Sequence, residues 1–151
     1  MKLQALIILS LLFVFSCKTS KNAAKMANTD SVLIAKGNLY GSGSEGIEKQ
    51  NTIIDNQSDW ENLMAQMNSV NKVSDTFTET KIDFENYIAV TVFDDVKGSG
   101  GHSLELEVTT TSEKRIVNII RTSPEGHATM VMTQPFCIVI LPKTDAPIEF
   151  Q

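Results

Sequence analysis

The chain is short of the residues that announce chemistry. Among 151 residues there are two cysteines, two histidines, one tryptophan and four prolines. Two cysteines leave no room for a disulfide-stapled scaffold, and C-x-x-C is absent, as is H-x-x-x-H, so neither zinc nor EF-hand spacing is present. No G-x-S-x-G elbow occurs. Basic residues are outnumbered, 13 Lys and Arg against 18 Asp and Glu, a net charge of −5. Such an acidic chain lacks the basic face that phosphate backbones require, which argues against nucleic acid as a partner. No apolar run approaches the roughly 20 residues of a membrane-spanning helix.

What is present begins at the N-terminus with "MKLQALIILSLLFVFSC". Lys2, an apolar run from Leu3 to Phe15 and the small Ser16 have the order of a secretory leader. Cys17 directly after "VFS" resembles the lipobox of bacterial lipoproteins, with Phe15 bulkier than the usual residue there. The resemblance implies cleavage after residue 16 and a lipidated Cys17 as the new N-terminus. Each buried acyl CH₂ contributes about 0.8 kcal/mol, and two or more chains anchor stably. Removing residues 1–16 takes away one charge, Lys2, leaving 12 basic against 18 acidic residues and a net charge of −6. An acidic domain gains nothing from anionic headgroups, so the membrane would hold it through the lipid on Cys17. Residues 17–30, "CKTSKNAAKMANTD", read as that lipidated cysteine and a polar tether. "KTSKN" lacks the acidic run carried by some surface-exposed lipoproteins, which favours an outer-membrane lipoprotein of the cell envelope facing the periplasm.

Residues 31–151 read as one globular domain. "SVLIAKGNLY" is a first strand, "GSGSEG" a turn, and "NTIIDN" a second short strand. In "SDWENLMAQMNSV" the period changes: Trp60, Leu63, Met64 and Met67 fall at i, i+3, i+4 and i+7, one stripe of an amphipathic helix. Ser58 with Glu61 three residues on reads as its capping box. Tyr87–Phe93 is apolar on both faces, the mark of a central strand. "HSLELEVTT" alternates, with Leu104, Leu106 and Val108 inward and Ser103, Glu105, Glu107 and Thr109 outward. "TSEK" turns into the returning strand "RIVNIIRT". "TMVMTQPFCIVILPK" contains the last strong strand, and "APIEF" adds a short edge. Six or seven strands and one helix, with no βαβ rhythm, give an α+β fold: a mainly antiparallel sheet with the amphipathic helix packed on it.

Candidate chemistry is sparse. Gly98, Gly100 and Gly101 look like a phosphate loop, but such a loop opens into a helix and carries Lys-Ser or Lys-Thr. Here the glycines lead into a period-two strand, so they read as a hairpin connection or a glycine bulge. His102 and His127 each follow a glycine and read as exposed loop histidines. Asp94 and Glu105 are conceivable as an acid–base pair only if the fold brings them together. Cys137, within "PFCIVILP", reads as a buried apolar thiol. Phe136 reads as core rather than as an exposed aromatic anchor. No catalytic residue, metal ligand or cofactor is assigned.

The segments "SDWENLM", "IDFENYIAVTVF", "KGSGGHSLELEVT" and "SPEGHATMVMTQPFCIVILPK" together resemble the C-terminal domain of the PrcB-type family, named after a lipoprotein subunit of a bacterial protease complex. The likeness runs from about Leu33 to Phe150. It rests on a helix with a tryptophan, Asp83-Phe84 before a central strand, a Gly-Gly-Tyr-Ser-like step and a Thr-x-Pro-Tyr-like step. This chain departs from the pattern with His102 and Phe136 at the two tyrosine positions. The resemblance implies a non-catalytic accessory role beside an envelope protein such as a protease. The loops bearing Gly98, Gly100, Gly101 and His102, and Glu125, Gly126 and His127, are the candidate contact surface. The competing expectations are a small envelope hydrolase, or a small-ligand carrier with a hollow beneath the Trp60 helix.

Overall fold

A computed structural model describes residues 31–151; the leader, Cys17 and the tether lie outside the described residues. Strands β1 (Val32–Leu39), β2 (Gln50–Ile54), β3 (Tyr87–Phe93) and β6 (Gln134–Pro142) form one sheet in the order β1-β6-β3-β2. Strands β4 (Ser103–Thr110), β5 (Arg115–Thr122) and β7 (Ile148–Phe150) form a second sheet. Helix α1 (Gln57–Met67) follows β2 directly. The fold is α+β and mainly β, as the strand pattern implies. Every strand pair is antiparallel except β5 with β7, where the edge strand made from "APIEF" runs parallel. No helix among the described residues is long and apolar enough to cross a membrane.

The two apolar faces of the central strands explain the layering. Ala89 and Phe93 of β3, with Phe136 and Ile138 of β6, face α1 and pack with its buried Trp60, Leu63 and Met67. Val90 and Val92, with Cys137, Val139 and Leu141, face the other way onto Leu104, Leu106 and Val108 of β4 and Val117 of β5. The four-stranded sheet is thus covered on both sides, by the helix on one and the small sheet on the other, which is why β3 and β6 read as almost unbroken apolar runs. Each fully buried side chain of this size contributes about 1.5–3 kcal/mol.

The Trp60 stripe is core. The indole Nε1–H donates to the carbonyl of Thr80 at 2.9 Å, the partner that a buried tryptophan needs. The helix start differs from the expected one. Asn56, not Ser58, is the N-cap: its side-chain oxygen accepts from the N–H of Asp59 at 3.0 Å, and its Nδ2 donates to the Asp59 carboxylate at 2.8 Å. Only the N-cap half of a capping box is present, two residues earlier, and Asp59 answers the Asn56 side chain rather than its backbone N–H.

Candidate functional site

The end of the molecule where β3 stops gathers the charged and glycine-rich segments. Asp94 follows the buried Phe93, and its N–H donates to the Pro135 carbonyl at 3.0 Å, so the chain cannot turn outward before the carboxylate is already enclosed. That carboxylate is only 5% exposed. Lys97 Nζ reaches it at 2.9 Å, Lys49 Nζ at 3.2 Å and Arg121 Nε at 3.8 Å. Burial pushes its pKa up, but the hydrogen bonds from Lys97, the backbone of Asp95 and Lys49 outweigh burial and hold the group down at about 2. Lys49 also pairs with Asp95 at 2.7 Å.

Asp94 and Glu105 are not brought together as an acid–base pair. Glu105 lies on the wet face of β4 and is held by Lys36 of β1, which lowers its pKa. Both carboxylates are therefore biased towards the ionised form, and neither is poised to donate a proton near neutrality.

Gln134 and Thr133 tie this end down from inside. Gln134 is buried and donates through Nε2 to the carbonyls of Ile47 at 2.7 Å and Asp94 at 3.1 Å. Thr133 Oγ1 donates to the Ser99 carbonyl at 2.9 Å, and its backbone forms a two-way bridge with Lys97. The Thr-Gln-Pro-Phe step is thus a clamp on the glycine loop, with Phe136 stacked on Phe93 at 5.9 Å in the core. A threonine and glutamine next to a proline at a strand start were the available signal.

The glycine loop is neither a hairpin nor a bulge. It carries the chain from β3 in one sheet to β4 in the other. At this end Gly100 N–H donates to the Thr129 carbonyl at 3.0 Å, and a Cβ on Gly101 would lie 2.9 Å from Pro124. His102 and His127 differ in setting. His127 is exposed, along with Glu125 and Gly126. His102 is half-buried, and its Nε2 lies 3.1 Å from Ser99 Oγ, a contact that closes within the loop itself. Beyond Thr129 the loop presents Met130, fully exposed, with Val131 and Met132 38% and 47% exposed.

Among the described residues no cluster of three or more His, Cys, Asp or Glu is placed to hold a metal. The cleft between α1 and β2 is about 180 Å³, lined by Gln50, Thr52, Ile54, Asn62 and Gln66 among others. Beneath the helix, the volume a carried ligand would need is filled by Trp60, Leu63 and Met67. Cys137 is buried, and desolvation pushes its thiol up to about 11. Comparison with protein-family models, curated proteins and solved structures gave no match to this chain.

Proposed function

We propose that the protein is a membrane-anchored envelope lipoprotein whose domain acts as a non-catalytic binding or accessory module, with a partner such as an envelope protease. The anchor is the lipid on Cys17, and the PrcB-type resemblance supplies the kind of partner. The observation that carries the reading is the joined loop surface. Gly98–His102 and Ser123–Met132 form one ridge, and its most exposed part is the apolar run Met130-Val131-Met132. Flexible methionine side chains adapt to an apolar partner surface, and their exposure in water offers no benefit to the isolated domain.

The test is capture of partners from gently solubilised envelopes with the full chain as bait, beside a variant carrying Met130→Ser and Met132→Ser. A protein captured in fixed ratio by the wild type and lost from the variant supports the module. Equal capture by both removes the ridge from the proposal, and no specific capture removes the accessory role.

A hydrolase reading draws on one contact, Ser99 Oγ with His102 Nε2. A serine nucleophile needs a base that is itself oriented by a third group, and the carboxylates of Asp94 and Glu105 are both engaged by cations. Esterase activity abolished by Ser99→Ala would revive this reading.

A further inference from the structure

The four-stranded sheet ends differently on its two sides. The outer edge of β1 is capped at Leu33 and Ile34, where Thr78 donates from its N–H to the Ile34 carbonyl and from Oγ1 to the carbonyls of Leu33 and Ile34. At the opposite side β2 pairs only with β3, and no backbone hydrogen bond among the described residues reaches its outer edge. The strand reads Gln50-Asn51-Thr52-Ile53-Ile54, without the lysine, proline or bulge that usually protects an edge. Ile53, next to the central Thr52, is 42% exposed. A row of free N–H and C=O groups of this kind is completed by another extended strand.

The two ends of β2 carry opposite charge. At its start, Lys49 belongs to an ion-paired group of three cations, with Lys97 and Arg121, against two carboxylates, Asp94 and Asp95. At its end, Asn56 Nδ2 gathers two carboxylates, donating to Asp55 at 3.1 Å and Asp59 at 2.8 Å, and with Lys143 Nζ 3.4 Å from the Asp55 carbonyl the excess there is one negative charge. Antiparallel pairing of β2 with itself about Thr52 sets Gln50 opposite Ile54 and Asn51 opposite Ile53. The same register sets Lys49 opposite Asp55 of the partner subunit, twice, once at each end. A parallel pairing would instead place like charges together.

We infer that β2 is a self-association edge, and that two copies of the chain pair antiparallel through Gln50–Ile54 into one continuous eight-stranded sheet. The arrangement is isologous, closes on itself and leaves no further β2 edge exposed, so it ends at the dimer. The net charge of the chain opposes association only over distances that physiological salt screens, whereas the paired ends meet at short range.

The experiment co-expresses two full-length copies with different C-terminal tags, solubilises them gently and captures one tag. The wild-type pair is expected to co-purify. Asp55→Lys in both copies, or Lys49→Glu in both, places like charges at both ends and should cut co-capture by at least about tenfold. One copy with Asp55→Lys and the other with Lys49→Glu restores opposite charges at both ends and should recover most of the loss. Ile53→Lys, at an exposed position, gives an independent break should Lys49→Glu disturb the Asp94 group. Absence of wild-type co-capture overturns the inference. So does co-capture indifferent to these changes, or no recovery in the mixed pair with Ile53→Lys also silent. A photo-crosslinker at Asn51 that reaches a strand of another protein instead of a second copy overturns it as well.

Discussion

The amide of Gly100 donates to the carbonyl of Thr129 at 3.0 Å, a bond between two loops that lie 29 residues apart in sequence. It forms because neither glycine beside it has a side chain. A Cβ on Gly100 would come within 2.4 Å of Thr129 Oγ1, and Gly101 sits at φ +85° with its missing Cβ 2.9 Å from Pro124. Gly98 faces open space and has an ordinary φ.

Gly101→Ala is therefore expected to cost about 1–3 kcal/mol, combining left-handed strain with the Pro124 clash. Gly98→Ala should stay within about 0.5 kcal/mol. Urea unfolding of the two variants beside the wild type measures both. Equal effects would mean that the loops do not depend on each other.

Asp94 sets an acid limit on stability. Its carboxyl is held at about 2, against 3.8 for the ordinary group, so the folded state binds that proton less readily than the unfolded chain does. The stabilisation is complete above about pH 5 and disappears as the pH falls through 2. With the side chain 5% exposed, the shift corresponds to roughly 2 kcal/mol. Asp94→Asn should lower stability at pH 7 by about that amount and flatten the loss between pH 5 and 2. Chemical denaturation of both proteins across that range is the check. An unchanged pH profile would assign the acid sensitivity to other groups.

The layers were legible because burial writes itself into period. Tyr87–Phe93 is apolar at every position but Thr91, and the structure covers it on both faces; β4 alternates, and one face is wet. The Trp60 stripe identified the helix for the same reason. The site was less legible because most of its contacts join a side chain to backbone or to a charge far off in the chain. Nothing local in the sequence ties Gln134 to Ile47, or Asp94 to Arg121. The parallel pairing of β7 was equally hidden, since three residues carry no period from which direction can be read.

The helix start tests that distinction at one position. Ser58 carries the familiar signature with Glu61, but the structure places it inside the first turn and gives the cap to Asn56. Asn56→Ala should cost about 1 kcal/mol, and Ser58→Ala should be within about 0.5 kcal/mol of neutral. The same unfolding assay decides, and a larger loss at Ser58 would move the helix start back to where the sequence motif put it.

Cys137 provides a probe of whether the two packed layers open separately. It lies 1% exposed among Val90, Val92, Leu106 and Val139, between the sheets, with its thiol pushed by burial up to about 11. At pH 8 almost none of it is thiolate, and it is 1% exposed at the floor of a cleft lined by Leu33, Lys36, Glu105 and Glu107, so a bulky reagent needs the β1 and β4 layers to part. In a full chain carrying Cys17→Ser, labelling by a disulfide reagent should therefore follow global unfolding, with a denaturant dependence matching that of the unfolding equilibrium. Labelling much faster than that, with a weak denaturant dependence, would mean that the β4–β5–β7 sheet lifts off while α1 stays docked on its own side. The molecule would then behave as two cooperative units divided by the β1-β6-β3-β2 sheet.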